Sequence, residues 1–266
     1  MDNSYVLANE QDCTLWLELN RPERRNPLSS EMINALSQEL ESGYLNKSIR
    51  TIVIASSGPA FSAGHDLLEI QRKNHESEVD WHNRIGVLLD SCAKMMIGIV
   101  NAKKPVIACV QGIASAAGCQ LVATCDLAIA STDAKFCTPG VNIGVFCTTP
   151  LVGVGRNLSR KHALEMALTG NYFDSITAER FGLINRHVPA EQLKRETQEL
   201  AKTIGSRSSE SIAIGKSTFY RQIETPIEEA FAIANKVMLE NLVSQGEAKE
   251  GMQAFLQKRT PNWDTP

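Results

Sequence analysis

An α/β core followed by a helical C-terminal region is the fold class this sequence predicts, and three observations carry it. Val106–Val110 and residues 51–55 are apolar runs without charge, rich in β-branched residues, as strands buried on both faces are. Such runs alternate with helical spacing as far as about residue 188, the order that yields a sheet covered by helices. Beyond it the chain keeps helical spacing and cap signals, and no strand-like run returns.

From the N-terminus, Thr14–Leu19 alternates, with Leu15, Leu17 and Leu19 on one face, which predicts a half-buried strand leading to the turn Asn20-Arg21-Pro22. A basic loop follows, with Arg21, Arg24 and Arg25 ahead of Asn26-Pro27; Ser29 or Ser30 then caps a helix with Met32, Ile33, Leu36 and Leu40 along one side. Three arginines in five residues are either a solvated loop or a place for a phosphate, whose oxygens guanidinium groups bind in pairs. Residues 51–55 run into SSGPAFSAGHDLLEI, where Gly58-Pro59 makes a turn and Gly64 stands just before a helix start. Residues 68–83 are rich in charge and predict a mobile helix or lid anchored by Trp81, and residues 85–102 return to a helical period.

The chain is organised around residues 104–150. Val106–Val110 leads into residues 111–118, almost all too small to fill space, so a backbone can approach a ligand there. If Ala117–Thr124 is the next helix, its free N–H groups point back into that turn, where the helix dipole also favours negative charge. The earlier SSGPAFSAGHDL stretch has the same grammar. Two such turns can each offer an amide to one oxygen, or both can be ordinary turns whose glycines permit tight packing. Leu127–Ser131 is a further strand, and residues 189–204, 208–223, 226–245 and 247–258 are helical. A boundary near Gly205 divides a core, 1–204, from a helical region, 205–266, whose helices dock on another subunit if they do not fold alone.

Composition excludes several classes. With 266 residues, 43% hydrophobic and 21% charged, the chain is long enough for one substantial core. A net charge of -3, with Lys and Arg scattered, indicates neither a nucleic-acid partner nor a membrane surface. The most apolar stretch, residues 85–100, is broken by Asp90 and Lys94 and predicts no membrane span. The segment MDNSYVLANEQ has neither the apolar core of a signal peptide nor Arg-rich amphipathicity, so a cytoplasmic location is expected. Seven cysteines without a CxxC pair predict reduced, mostly buried thiols, and five histidines without HxxxH spacing predict no metal site.

Several motifs in order, RPERRNPLS, FSAGHDL, KPVIACVQGIASAAGCQLVATCDLAIAS, FCTPGVNIGV, ERFGLINRHV and EGMQAFLQKRTPNW, resemble those of the crotonase, or enoyl-CoA hydratase/isomerase, superfamily. The likeness runs the whole chain, and GHDL, AAGCQLVATCD, TPGVNIGVFCTTP and GKSTFYRQ are similar to one subgroup of it. The resemblance implies a spiral core of repeated ββα units with a C-terminal helical trimerisation region. It implies no cofactor beyond a coenzyme A thioester as substrate or ligand, and a homotrimer or a dimer of trimers. Backbone donors to the thioester oxygen fall on His65 and Ala117. Arg24 and Arg25 fall near the nucleotide, and Ala63, Asp66, Leu67 and Leu68 along the bound thioester. Phe255 and Lys258, in FLQK, fall where the last helix reaches the CoA of a neighbouring subunit. The spacing of Met252, Phe255 and Leu256 agrees, since these share a helical face that needs burying.

The departures decide the chemistry expected. A hydratase of this family uses two glutamates, one to activate water and one to deliver a proton. Those positions fall on Gln120 and Gly140, and a third, aspartate in some dienoyl-CoA isomerases, falls on Thr148. None of the three ionises, and a glutamine amide holds a water without taking its proton. Restoring both carboxylates is expected to raise hydration cooperatively, with a risk at Gly140 if that backbone needs glycine. Around the thioester remain Cys119, Asn142, Cys147, Thr149 and the side chains of His65 and Asp66, the last read as the cap of its helix. Three readings stay open: a hydratase or isomerase type enzyme, another acyl-CoA enzyme such as a decarboxylase, and an acyl-CoA-binding pseudoenzyme.

Overall fold

The computed structural model describes residues 4–263. In chain order the elements begin β1 (Val6–Gln11), β2 (Thr14–Leu19), α1 (Ser30–Leu45), β3 (Thr51–Ser56), β4 (Ala60–Ser62), α2 (Leu67–Ile70) and α3 (Glu78–Asn101). The middle of the chain gives β5 (Val106–Val110), β6 (Ile113–Ser115), α4 (Ala117–Thr124), β7 (Leu127–Ser131), β8 (Lys135–Cys137), α5 (Pro150–Asn157) and α6 (Arg160–Thr169). Then follow β9 (Phe173–Asp174), α7 (Ser175–Phe181), β10 (Arg186–Val188), α8 (Leu193–Gly205), α9 (Ser209–Gln222), α10 (Ile227–Leu242) and α11 (Glu247–Leu256).

The strands form two sheets in a spiral. The larger runs β1-β2-β3-β5-β7-β10, parallel except for the β1–β2 pair; the smaller runs β4-β6-β8-β9, parallel except for β8–β9. Each pass of the chain gives one strand to the large sheet and the next, three residues long, to the small one, as β3–β4, β5–β6 and β7–β8 do. The first two of these passes then enter α2 and α4. The turns into those helices therefore start from the short strands of the second layer, not from the long buried strands.

Two-residue alternation sorts side chains between the two faces of the large sheet. Leu15, Leu17, Ile52 and Ile54 join Met32, Leu36 and Leu40 of α1 in one core; Trp16, Val53, Ile107 and Cys109 meet Leu193 and Ala201 of α8 in another. β2 is thus buried on both faces, where its alternation suggested one. The indole of Trp16 donates to Gln198 of α8 at 2.7 Å, so burial leaves no orphan N–H there. Ser29 caps α1 through a 3.3 Å bond from Met32 N–H, and Met32, Ile33, Leu36 and Leu40 are its buried stripe.

The helical tail is tied to the core by a buried ion pair. Lys216 of α9 donates to Asp126 Oδ2 at 2.7 Å and to the carbonyls of Ile99 and Lys104, and Tyr220 donates to Asp126 Oδ1 at 3.0 Å. Six of the seven cysteines are buried and all seven are free thiols. Among the described residues no helix is long and apolar enough to cross a membrane.

Candidate active site

Two turns meet where β4 and β6 lie side by side. Gly64 has φ +88°, a conformation that favours glycine, and a Cβ there would lie 2.9 Å from Ala116 Cβ and 3.2 Å from the Ala117 nitrogen. The absent side chain is what lets the first turn rest on the second. A Cβ at Gly118 would lie 2.4 Å from the Ser62 carbonyl oxygen, so α4 starts in backbone contact with β4. Ala116, the residue before α4, is held at φ 49°, ψ −118°. This sparsely populated conformation turns the chain from strand to helix in one residue.

The two N–H groups of interest are those of His65 and Ala117. Among the described residues neither donates to a protein acceptor, although Gly64 N–H reaches Ser62 Oγ at 3.2 Å and Ala116 N–H reaches the Cys137 carbonyl at 2.9 Å. Neighbouring donors are satisfied and these two are free for an oxygen from outside the chain, in Ala117's case at a helix N-terminus.

The His65 side chain is half-buried. Its Nδ1 lies 3.0 Å from the Leu28 carbonyl, and since a carbonyl only accepts, Nδ1 carries the proton. Burial lowers its basicity, partly offset by that carbonyl and by Glu69, so the ring is neutral at pH 7. Its Nε2 is buried with no partner.

Asp66 caps α2, accepting from Leu68 N–H at 3.0 Å, and pairs with Arg24 at 3.1 Å. Arg25 is exposed, in a left-handed conformation at φ 63°, and its carbonyl accepts from Ala63 N–H at 2.9 Å. Ala63, Leu67 and Leu68 are exposed beside this loop, Leu67 and Leu68 at 54% and 67%. The structure thus brings Arg24, Arg25, Ala63, His65, Asp66 and Ala117 into one neighbourhood.

Gln120 is buried one helical turn beyond Ala117, and its Oε1 has no partner. It lines a cavity of about 750 Å³ walled by Met96, Ile97, Val100, Phe219 and Ile223. Arg156 and Glu224, paired at 2.5 Å, also line that cavity. Gly140 is buried, and a Cβ there would lie 2.3 Å from the Val145 carbonyl oxygen and 2.8 Å from Cys147 Sγ. Gly140 N–H donates to that sulfur at 3.3 Å. Backbone and a thiol therefore fill the space a side chain at 140 would enter. Burial pushes the thiols of Cys119, Cys137 and Cys147 up, which keeps them protonated and poor nucleophiles. Thr148 is exposed, its N–H bonded to the Phe146 carbonyl at 2.8 Å. Phe255 and Lys258 lie at the end of α11, which packs on α9 and α10, and nothing in the single chain carries them to the arginine loop.

The charged stretch 68–83, expected to be a mobile helix or lid anchored by Trp81, carries that anchor and further ties to Arg84. Arg84 donates to the Glu69 and Gln71 carbonyls and pairs with Glu76 at 2.7 Å, and Trp81 donates to the Ile70 carbonyl at 2.8 Å. Asn26, to which the sequence assigns no role beyond standing before Pro27, is fully buried at φ 50°. Its amide donates to the Ser57 and Ala60 carbonyls and accepts from Arg21 N–H. An Asn ahead of Pro was the available signal, since Asn enters the left-handed region more readily than most residues.

The fold and its two facing turns define the crotonase class, and the chain belongs to the enoyl-CoA hydratase/isomerase family, whose model matches residues 10–266. It is 42% identical over 259 residues to the mouse enoyl-CoA hydratase domain-containing protein 3, mitochondrial, covering 96% of this chain and 83% of that protein. The crystal structure of the human protein of that name superposes with a TM-score of 0.92 at 39% identity, covering 97% of this chain and 100% of the other. An enoyl-CoA hydratase from Mycobacterium smegmatis superposes with a TM-score of 0.91 at 42% identity, covering 98% and 99%. These relatives carry the subgroup that the GHDL and GKSTFYRQ motifs resemble. They also overturn the cytoplasmic expectation, because the relatives from mouse, rat, frog, human and zebrafish are all named mitochondrial. The expectation failed because it rested on the residues of one short segment, whereas a folded domain's charge and hydropathy carry no address.

Proposed function

We propose that this protein binds an acyl-CoA thioester and polarises its carbonyl between the His65 and Ala117 N–H groups, with little or no ordinary hydratase activity. The observation that carries this is the pair of unsatisfied donors on two turns that Gly64 allows to touch. Each donor to a developing enolate oxygen is worth about 3 to 4 kcal/mol of transition-state stabilisation. The nucleotide lies toward Arg24 and Arg25, the acyl chain passes Gln120 toward the apolar cavity, and the compartment indicated by the relatives' names is mitochondrial. Hydration fails for want of a base: Gln120 and Gly140 offer no carboxylate, Nε2 of His65, the ring nitrogen that could take a proton, is buried, and the nearby thiols stay protonated.

The same observation supports decarboxylation as a second reading. Loss of CO2 leaves its bonding electrons on the α-carbon as an enolate, which two amides stabilise without a base. Purified protein is to be assayed against crotonyl-CoA and malonyl-type CoA esters, alongside direct binding of both. Micromolar binding with negligible hydration is expected. Turnover of crotonyl-CoA at about 10 per second would overturn the proposal.

We further propose a homotrimer or dimer of trimers, in which Phe255 and Lys258 reach a neighbour's ligand. Phe231, Met238, Phe255 and Leu256 are 63%, 60%, 82% and 79% exposed in the single chain, more apolar surface than an isolated tail leaves bare. Light scattering that reports a monomer would refute this.

A further inference from the structure

The turn that carries the His65 amide is bound to the arginine loop at every one of its four residues. Ala63 N–H donates to the Arg25 carbonyl at 2.9 Å, and the Gly64 carbonyl accepts from Leu28 N–H at 2.8 Å. His65 Nδ1 donates to the Leu28 carbonyl at 3.0 Å, and Asp66 pairs with Arg24 at 3.1 Å. Two of these are backbone bonds that any sequence can make; the other two depend on the side chains of His65 and Asp66. The loop itself is braced from behind by Asn26, through the Ser57 and Ala60 carbonyls. Among the described residues no hydrogen bond or ion pair ties the Ala117 turn to the arginines.

We propose that His65 is a positioning residue: its imidazole clamps the oxyanion turn to the arginine loop, so that a nucleotide held by the loop aligns the His65 amide on the thioester. The inference rests on the acyl-CoA reading above. It accounts for a histidine at a position whose required group is only a backbone N–H. A base there would act through Nε2, since Nδ1 holds the proton, and that nitrogen is buried. The nucleotide end and the thioester end of one ligand then act on a single linked segment, residues 24–28 joined to 63–66. Where both ends of the ligand favour the same position of that segment, binding at one end favours binding at the other.

The test splits the ligand into two fragments. Butyryl-pantetheine supplies the thioester, 3′-phosphoadenosine 5′-diphosphate supplies the nucleotide, and the dissociation constant of the first is measured with and without a saturating amount of the second. In the wild-type protein the nucleotide fragment is expected to tighten the thioester fragment by roughly tenfold, within the range of ordinary coupling. His65→Leu removes the donor and should bring the factor to about one, with the nucleotide fragment's own affinity unchanged as evidence of a folded loop. His65→Asn, whose amide can replace Nδ1–H but cannot titrate, should retain most of the factor. Asp66→Asn, which weakens the other side-chain tie without a cavity, should give an intermediate value and serves if His65→Leu does not fold. Equal coupling in wild type and His65→Leu would overturn the proposal, as would equal loss in the Leu and Asn variants. If the fragments bind the wild-type protein but show no coupling, only this inference fails; if neither binds, the acyl-CoA reading itself fails.

Discussion

The two halves of the site are built by opposite means. The Ala117 half is made of backbone in contact with backbone: every residue of α4 is buried, Gly118 abuts the Ser62 carbonyl, and Ala116 is held at positive φ without a side-chain cap. The His65 half adds side chains to two backbone bonds: an imidazole, an Asp66 cap paired with an arginine, and a four-residue helix with no buried residue. A contact between main chains has little room to adjust, because interiors are close-packed and a displaced backbone moves everything attached to it. A tether of side chains near solvent opens at small cost. One donor is therefore fixed by the fold, and the other is placed by groups that a ligand can engage.

The largest effect should come from forcing the rigid half apart. Gly118→Ala puts a methyl group 2.4 Å from a carbonyl oxygen that cannot swing away, so the cost is a backbone shift of about 3 kcal/mol. Urea unfolding checks it; a change below about 1 kcal/mol would show that β4 and α4 are not in the contact described. The counterpart, Gly64→Ala, adds a left-handed conformation costing about 1 to 2 kcal/mol to a clash with Ala116. It should weaken an enolate-mimicking ligand more than it weakens free CoA, since it separates the donors and leaves the arginine loop in place.

Next in size is the attempt to rebuild a hydratase, where the structure changes what the residues alone suggest. Gly140 is not at positive φ, so no special backbone forbids a glutamate. The obstacle is the Val145 carbonyl, 2.3 Å from where its Cβ would be, with Cys147 Sγ behind it. Gln120→Glu with Gly140→Glu should therefore give no cooperative gain in crotonyl-CoA hydration, and Gly140→Glu alone should cost about 2 kcal/mol of stability. A double variant far faster than either single one would mean that residues 140–147 can refold around the carboxylate.

What the sequence revealed and concealed follows the range of the contacts. The uncharged run Val106–Val110, the Ser29 cap with its stripe of Met32, Ile33, Leu36 and Leu40, and the helices of the tail are local patterns, and each forms where its pattern lies. β4, β6 and β8 are three residues long, too short for alternation to register, so the second layer was visible only through family likeness. Most features that shape the site join residues distant in the chain, Leu28 to His65, Arg24 to Asp66 and Ser62 to Gly118, while the Val145 carbonyl meets Gly140 across a tight turn. Spacing along a chain cannot show a carbonyl occupying another residue's side-chain volume. The ties of the charged stretch after α2 were hidden for the same reason, because Arg84 reaches back to the Glu76 carboxylate and to the Glu69 and Gln71 carbonyls.

That stretch gives the smallest expected effect and the sharpest check on the adjustable half. The Arg84 guanidinium, with help from Lys73 N–H, holds the Glu76 carboxyl down at about 2, below its ordinary 4.5. A carboxyl whose folded value is depressed contributes stability that is fully present above its unfolded value and is lost as pH falls through the folded one. The clasp over residues 67–77 should thus be intact above about pH 4.5 and open as the pH approaches about 2. Both side chains lie near solvent, so the gain is modest and salt weakens it. Hydrogen exchange read as the ratio of Arg84→Met to wild type at each pH isolates it. At pH 6 the variant should exchange severalfold faster in residues 67–77 alone, and the gap should narrow as the pH falls toward 2, to the part that the Arg84 bonds to the Glu69 and Gln71 carbonyls contribute. A difference spread over α4 as well would show that the two halves of the site move together, and the contrast between a fixed and a tethered donor would fall.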